Sequence, residues 1–78
     1  MNMNVLFENM KEVNSRSIQA YGYTKDNLGI IFESNPNIMY VYKNVSKHIC
    51  NEFDNAESKG NFFTSEIKNK FQFEQVKL

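Results

Sequence analysis

Two pairs of tyrosines are the side chains in this sequence that are best suited to binding chemistry. They are Tyr21 with Tyr23 and Tyr40 with Tyr42. Residues two apart in a β-strand lie on the same face, so each pair would present two rings side by side. Exposed aromatic rings stack nucleic-acid bases, and each stacked base contributes roughly 1–3 kcal/mol. We therefore expect a tyrosine-bearing sheet face that binds RNA or a nucleotide.

Lysines near the end of the chain could add phosphate contacts beside that face. The chain has nine basic and nine acidic residues and a net charge of 0, so no overall positive field attracts nucleic acid. Any phosphate contact must then be local. The predicted binding residues are Tyr21, Tyr23, Tyr40, Tyr42, Lys68 and Lys70.

The tyrosines have two alternative roles. At least one pair could pack beneath helices with its hydroxyls satisfied at the sheet edge. Alternatively, the rings could form a surface that docks a protein, because tyrosine is common at interface hot spots. We expect the helices to cover one sheet face and the tyrosines to lie on the other, since a hydroxyl needs water or a partner.

No residue set in the chain has the spacing of a catalytic or metal site. His48 and Cys50 are two apart on a predicted helix and point in separate directions, so they cannot act as a base and a nucleophile together. Glu52, Asp54 and Glu57 lack the spacing of metal ligands. The three scattered glycines form no phosphate-binding loop. We predict a binding protein that has no catalytic residues, no metal and no cofactor.

Three segments rich in branched and aromatic residues predict β-strands at residues 18–23, 28–33 and 38–43. Turn-forming residues separate them at 24–27 and 35–37. Connections this short require antiparallel pairing, so the strands should form a meander. In the tail, Phe73 and Val76 alternate with polar residues, which indicates a fourth strand or an extended arm.

Two short helices should follow the strands. The first begins at Asn44 or Ser46, and the segment Ser58-Lys59-Gly60 has the composition of a helix end. Thr64-Ser65-Glu66 then resembles the start of a second helix. Their apolar positions are Ile49, Phe53, Ala56, Ile67 and Phe71. The predicted fold is α+β, with a meander of three or four strands and two short helices packed on one face.

The chain of 78 residues fits one small domain. We expect residues 1–12 to be an N-terminal extension or a short helix, and residues 13–78 to be the domain itself. So small a core gains from self-association, which makes a homo-oligomer a reasonable expectation. The lone Cys50 and the lack of a signal peptide or membrane-spanning run predict a cytoplasmic protein.

From about residue 13 to residue 73, the order of features resembles the KTSC domain, which occurs at the C-terminus of some lysyl-tRNA synthetases and also alone. The matching segments are Ser15-Arg16-Ser17-Ile18, Tyr21-Gly22-Tyr23, Tyr40-Val41-Tyr42, Ala56-Glu57-Ser58-Lys59-Gly60 with Phe62 or Phe63, and Ile67-Lys68-Asn69-Lys70-Phe71. Two departures concern loops: Asn35-Pro36-Asn37 stands where the family usually has a glycine, and Ser46 lies near a frequent proline. The resemblance implies a small domain for which RNA binding has been suggested.

Two functions follow from these observations. The first is recognition of RNA or a nucleotide by the tyrosine face. The alternative is a protein-interaction module, such as a small phage or mobile-element inhibitor of a host defence system. They differ in salt dependence, because phosphate contacts weaken with salt and an apolar protein interface hardly responds.

Overall fold

Five antiparallel strands form one sheet, in which they follow the order of the chain. A computed structural model describes residues 10–13 and 16–78. The predicted meander and the strand in the tail are confirmed, but the sheet has one strand more than the three or four expected. The strands are β1 (Lys11–Glu12), β2 (Ile18–Thr24), β3 (Asn27–Phe32), β4 (Ile38–Tyr42) and β5 (Phe73–Lys77).

The additional strand is β1, which pairs antiparallel with β2. Met10 packs with residues on one face of the sheet, and Val13 packs with the core on the other. Side chains that point alternately to the two faces of a sheet are typical of a β-strand. Residues 11–12 are therefore a strand, and the short helix predicted within residues 1–12 does not extend to them. The rest of that prediction falls on residues 1–9, which lie outside the described part of the chain.

The predicted turns lie where the strands end. Lys25 and Asp26 join β2 to β3 and both have positive φ angles, 42° and 67°. A two-residue turn with left-handed backbone at both positions matches the twist of a hairpin. Asn35-Pro36-Asn37 separates β3 from β4, as the turn chemistry of these residues predicts.

Two helical segments lie between β4 and β5, and the second begins earlier than predicted. The first, α1 (Lys47–Asn55), is capped by Ser46, whose Oγ accepts from the Ile49 N–H at 3.3 Å. The second, α2 (Lys59–Phe62), continues into a π-helical turn at Phe63–Ile67. The Ser58 Oγ accepts from the Asn61 N–H at 3.2 Å, so Ser58 caps the start of α2. The segment Ser58-Lys59-Gly60 is therefore a helix start, and its prediction as a helix end is wrong.

Gly60 lies inside this helical segment, where the side chain of Ser17, the residue before β2, comes close to it. A Cβ at position 60 would lie 2.6 Å from the Ser17 Oγ, so this hydroxyl would have to move to make room for it. The Thr64 hydroxyl donates to the Gly60 carbonyl oxygen at 3.0 Å, one turn earlier, and so does not cap a new helix. The glycine thus serves packing at this position.

Both helical segments pack on one face of the sheet, as predicted, and build the main core there. The fully buried members of this core are Ile18, Leu28, Ile30, Val45, Phe53 and Ile67. The other sheet face carries a smaller apolar cluster around Met39 and Val41. The sheet is therefore the layer between two apolar clusters of unequal size.

Candidate functional site

An open groove lined by aromatic rings lies on the helix side of the sheet, where β4 and β5 meet the turn that follows the π-helical segment. Its volume is about 320 Å³. We call it the aromatic groove. It is lined by Phe32, Tyr40, Tyr42, Phe63, Lys68, Asn69 and Phe73.

The pairing of β4 with β5 brings the rings of the aromatic groove together. Tyr42 lies opposite Phe73 in the register, and Tyr40 is two residues away on the same face. The Phe73 ring centroid is 5.2 Å from that of Tyr42 and 5.6 Å from that of Tyr40. Phe73 is 49% exposed, so its ring forms an accessible wall of the groove.

The two tyrosines of β4 differ in what they offer a ligand. Tyr42 is buried, and its ring packs edge-on against Phe63 at 5.5 Å. Burial, followed by the neighbouring Tyr40, raises the pKa of Tyr42 to about 12, so its hydroxyl is neutral at physiological pH. Tyr40 is half-buried. A ligand in the groove would thus meet Phe73 and Tyr40, with Tyr42 as a supporting wall.

Two exposed lysines flank the aromatic groove. Lys68 lines it directly, and Lys70 lines a neighbouring cavity of about 580 Å³ that shares Asn69 and Phe73 with the groove. Asn69 has a left-handed backbone, with φ at 67°, and turns the chain between the two lysines. Four predicted binding residues, Tyr40, Tyr42, Lys68 and Lys70, are therefore brought into one region.

Tyr21 and Tyr23 lie apart from the aromatic groove. Tyr21 is buried beneath α1, with its ring centroid 4.9 Å from that of Phe53. Tyr23 is 36% exposed, and its hydroxyl donates to Asp26 at 3.3 Å. The structure does not bring these two predicted binding residues together with the pair on β4, because β3 lies between β2 and β4.

The expectation that the tyrosines lie on the sheet face opposite the helices is wrong. Tyr21, Tyr40 and Tyr42 all pack with the helix-side core. The alternative arrangement, with a pair beneath the helices and a hydroxyl satisfied at the edge, describes Tyr21, which donates to the Asp54 carboxylate. A tyrosine ring can thus be buried beneath a helix whose polar edge supplies a partner.

Sequence reasoning missed the three phenylalanines and the asparagine of the aromatic groove. The alternation of Phe73 with polar residues predicted its strand but could not reveal that Tyr42 lies opposite it. Phe32 closes the groove between Tyr40 and Phe63, with ring centroids 5.3 and 5.0 Å away. In the segment at residues 68–70, the asparagine between the two lysines indicates a turn, because asparagine is common in turns.

Asp54 joins the first two strands to α1 and should make stability pH-dependent. The hydrogen bond from Tyr21, then that from Lys11 at 3.0 Å, holds the Asp54 pKa below its ordinary value of 3.8. A carboxyl whose pKa is lower in the folded than in the unfolded state stabilises the protein above the unfolded-state value. This contribution is lost as the pH falls through the folded-state pKa.

We expect Asp54→Asn to lower the free energy of unfolding near neutral pH. Well below pH 3.8 the difference from the original protein should shrink, because the carboxyl is then protonated in both states. Urea titrations at the two pH values measure this, with Glu57→Gln as the control for loss of an exposed acid. If the loss of unfolding free energy is the same at both pH values, the hydrogen bonds to Asp54 do not lower its pKa in the folded state.

His48 and Cys50 are not arranged for catalysis. On α1, the exposed His48 Nε2 lies 2.7 Å from Glu52, whereas Cys50 is buried. Burial, then Asp26, raises the pKa of the Cys50 thiol to about 12, which disfavours the reactive thiolate. Within residues 10–13 and 16–78, no group of three histidine, cysteine or acidic side chains could hold a metal ion. No helix in the same ranges is long and apolar enough to cross a membrane.

Comparison with known proteins agrees with the resemblance in the sequence. The family model of the KTSC domain matches residues 14–71. A crystal structure of a KTSC domain protein from Yersinia pestis is 34% identical and superposes with a TM-score of 0.78, covering 87% of this chain and 96% of that one. The lysine–tRNA ligases of Trichormus variabilis and of a Nostoc species are each 36% identical over 59 residues, or 76% of this chain.

The chain spans only 10% of the length of those two ligases, so the likeness concerns one small part of each enzyme. The match to the family model nevertheless covers most of this chain, and the superposed Yersinia pestis protein is covered almost completely. The TM-score of 0.78 shows that the folds of these two proteins agree as well. This chain belongs to the KTSC domain family.

Proposed function

We propose that this KTSC domain is a non-catalytic binding module that holds single-stranded RNA or a nucleotide in the aromatic groove. The observation that carries the proposal is the half-exposed Phe73 ring, which lies beside Tyr40 with Lys68 at the rim of the same cavity. Aromatic rings with nearby cations are the usual components of single-strand binding sites.

The size and charge of the groove limit what it would bind. A volume of about 320 Å³ is large enough to hold a base. Lys68 and Lys70 lie outside the aromatic wall, where they can meet phosphates while a base stacks on Phe73. The similar region in the lysine–tRNA ligases occurs in enzymes whose name gives tRNA as their substrate, which adds support for an RNA ligand.

The competing proposal is a protein-interaction module. The exposed apolar side chains of Phe73 and Leu78 are the feature that favours it. Binding of a protein through apolar contacts would respond little to salt, whereas binding of RNA through two lysines would weaken as salt rises. Salt dependence therefore separates the two functions.

The test is binding of a fluorescent oligouridine, measured by anisotropy at several salt concentrations. We expect the double variant Lys68→Gln, Lys70→Gln to bind more weakly. The slope of log affinity against log salt should fall by roughly 1.4, since each phosphate contact on a single strand contributes about 0.7. The matched control is Lys25→Gln, Lys47→Gln, which removes the same charge.

Lys25 and Lys47 test the other tyrosine pair as well. Lys47 lines a cavity of about 260 Å³ with Tyr21 and Tyr23, and Lys25 follows β2 directly. If the control double variant loses the salt dependence and the Lys68 and Lys70 variant keeps it, RNA binds at the cavity beside Tyr21 and Tyr23 instead. No binding by the original protein at low salt would reject the RNA proposal altogether.

A further inference from the structure

The outer edge of β5 has backbone groups free to pair with another strand. Among the strands of the described residues, only β4 pairs with β5. Two hydrogen bonds fix which way the backbone of this segment points: Lys43 N–H donates to the Gln72 carbonyl, and Leu78 N–H donates to the Asn37 carbonyl, both at 2.8 Å. Gln72 and Leu78 therefore face β4.

Backbone direction alternates along a strand, so the residues between these two bonds can be assigned. Glu74 and Val76 are an even number of residues away from Gln72 and Leu78, so their backbone N–H and carbonyl groups also face β4. Phe73, Gln75 and Lys77 then direct their N–H and carbonyl groups away from the sheet, one donor and one acceptor each. All three residues are exposed.

Natural sheet edges are usually protected by a proline, a bulge or charged side chains. β5 contains no proline, and its register with β4 is regular throughout. Of its two charged residues, Glu74 forms an ion pair with Lys43 at 2.7 Å, and Lys77 is left as the single charge that could protect the edge. Phe73 and Leu78, near the two ends of the strand, are 49% and 57% exposed. The edge is therefore open to pairing.

We propose that a second copy of this chain pairs with β5 in antiparallel orientation and joins the two sheets into one. The sequence of β5 is self-complementary in a register centred on Gln75, which then lies opposite Gln75 of the second copy. Phe73 lies opposite Lys77 of the second copy, a pairing of an aromatic ring with a cation. The outward backbone groups of each copy meet those of the other in this register.

A second copy is a better occupant than an unrelated peptide for two reasons. The net charge of 0 means that two copies do not repel each other. A chain of 78 residues has a small core, and a symmetric two-fold contact satisfies the open edges of both copies at once. Residues directly opposite across an antiparallel pair share one face, so both sets of helices lie on the same side of the joined sheet.

Pairing at β5 would also place the two aromatic grooves on the same face of the joined sheet, at opposite ends of the paired strands, because Phe73 borders both the groove and the edge. This consequence rests on the proposed function, whereas the pairing itself does not. A dimer would then hold a longer single strand than one copy can. Dimerisation without RNA binding would leave the edge proposal intact and reject only the function.

Gln75→Pro tests the edge, with Gln75→Ala as the matched control. A proline at this position removes an N–H that points away from β4, so it blocks the new pairing and leaves the existing ladder. In sedimentation experiments up to millimolar concentration, we expect the original protein and Gln75→Ala to dimerise and Gln75→Pro to remain a monomer. The circular dichroism of all three should agree.

Amide hydrogen exchange on the original protein gives a second measurement that needs no substitution. Exchange at Phe73, Gln75 and Lys77 should slow as the concentration rises, whereas Glu74 and Val76 should stay slow at every concentration. A protein that is monomeric at millimolar concentration would overturn the proposal. A folded Gln75→Pro variant that dimerises as tightly as Gln75→Ala would also overturn it.

Discussion

Phe53→Ala is expected to lower the free energy of unfolding by about 3–5 kcal/mol. The Phe53 side chain is 0% exposed, and its ring centroid lies 4.9 Å from that of Tyr21 and 5.8 Å from that of Phe62. Removing the ring leaves a cavity beneath α1 that these neighbours cannot fill. A chain of 78 residues has a total stability of about 4–12 kcal/mol, so a large share would be lost.

Urea denaturation measures this loss, and Phe73→Ala is its control. The same atoms are removed, but from a ring that is 49% exposed, so the free energy of unfolding should change far less. Equal losses in the two variants would mean that the main core is not centred beneath α1. Phe53→Leu should lie between Phe53→Ala and the original protein, because it keeps most of the buried volume.

Phe73→Ala is expected to weaken binding of a short oligouridine by roughly 5- to 150-fold, the effect of losing about 1–3 kcal/mol of base stacking. Phe73 is the most accessible ring of the aromatic groove and contacts both tyrosines of β4. Its removal takes away the wall on which a base would stack while the buried rings stay in place. Fluorescence anisotropy at low salt measures the change in affinity.

Phe73→Tyr and Leu78→Ala are the controls for this result. Phe73→Tyr keeps an aromatic ring at the same position and should bind almost as well as the original protein. Leu78→Ala removes another exposed apolar side chain, one that does not line the groove, and should leave the affinity unchanged. If Phe73→Ala binds as tightly as Phe73→Tyr, the aromatic groove is not the binding site.

Features that depend on a few neighbouring residues could be predicted from the sequence. The turn at Lys25 and Asp26 could be predicted from Asp26 and Asn27, whose residue types are common in tight turns, and the Ser46 cap from its hydroxyl. The segment Ser58-Lys59-Gly60 was ambiguous because serine can begin a helix and glycine can end one. The bond from the Asn61 N–H to the Ser58 Oγ shows that the segment begins a helix. Gly60 is accounted for by its contact with Ser17, which lies in a distant part of the chain.

The aromatic groove could be predicted only in part, for the same reason. The spacing of Tyr40 and Tyr42 placed them on one face, and Lys68 and Lys70 were chosen for their charge. Which face the tyrosines take depends on partners elsewhere in the chain, such as the carboxylate of Asp54 for Tyr21. The position of Phe73 depends on how β5 aligns with β4, and a connection containing two helical segments gives no local signal for that alignment.

The side chains of β4 that carry the family resemblance are held in place by packing, whereas the lysines beside the groove are exposed. Met39 and Val41 are buried on one face of this strand and Tyr42 on the other, so contacts on both sides restrict its side chains. Exposed positions such as Lys68 and Lys70 can be exchanged at little cost to folding. A KTSC domain can thus evolve toward a new ligand while Tyr40-Val41-Tyr42 still identifies it.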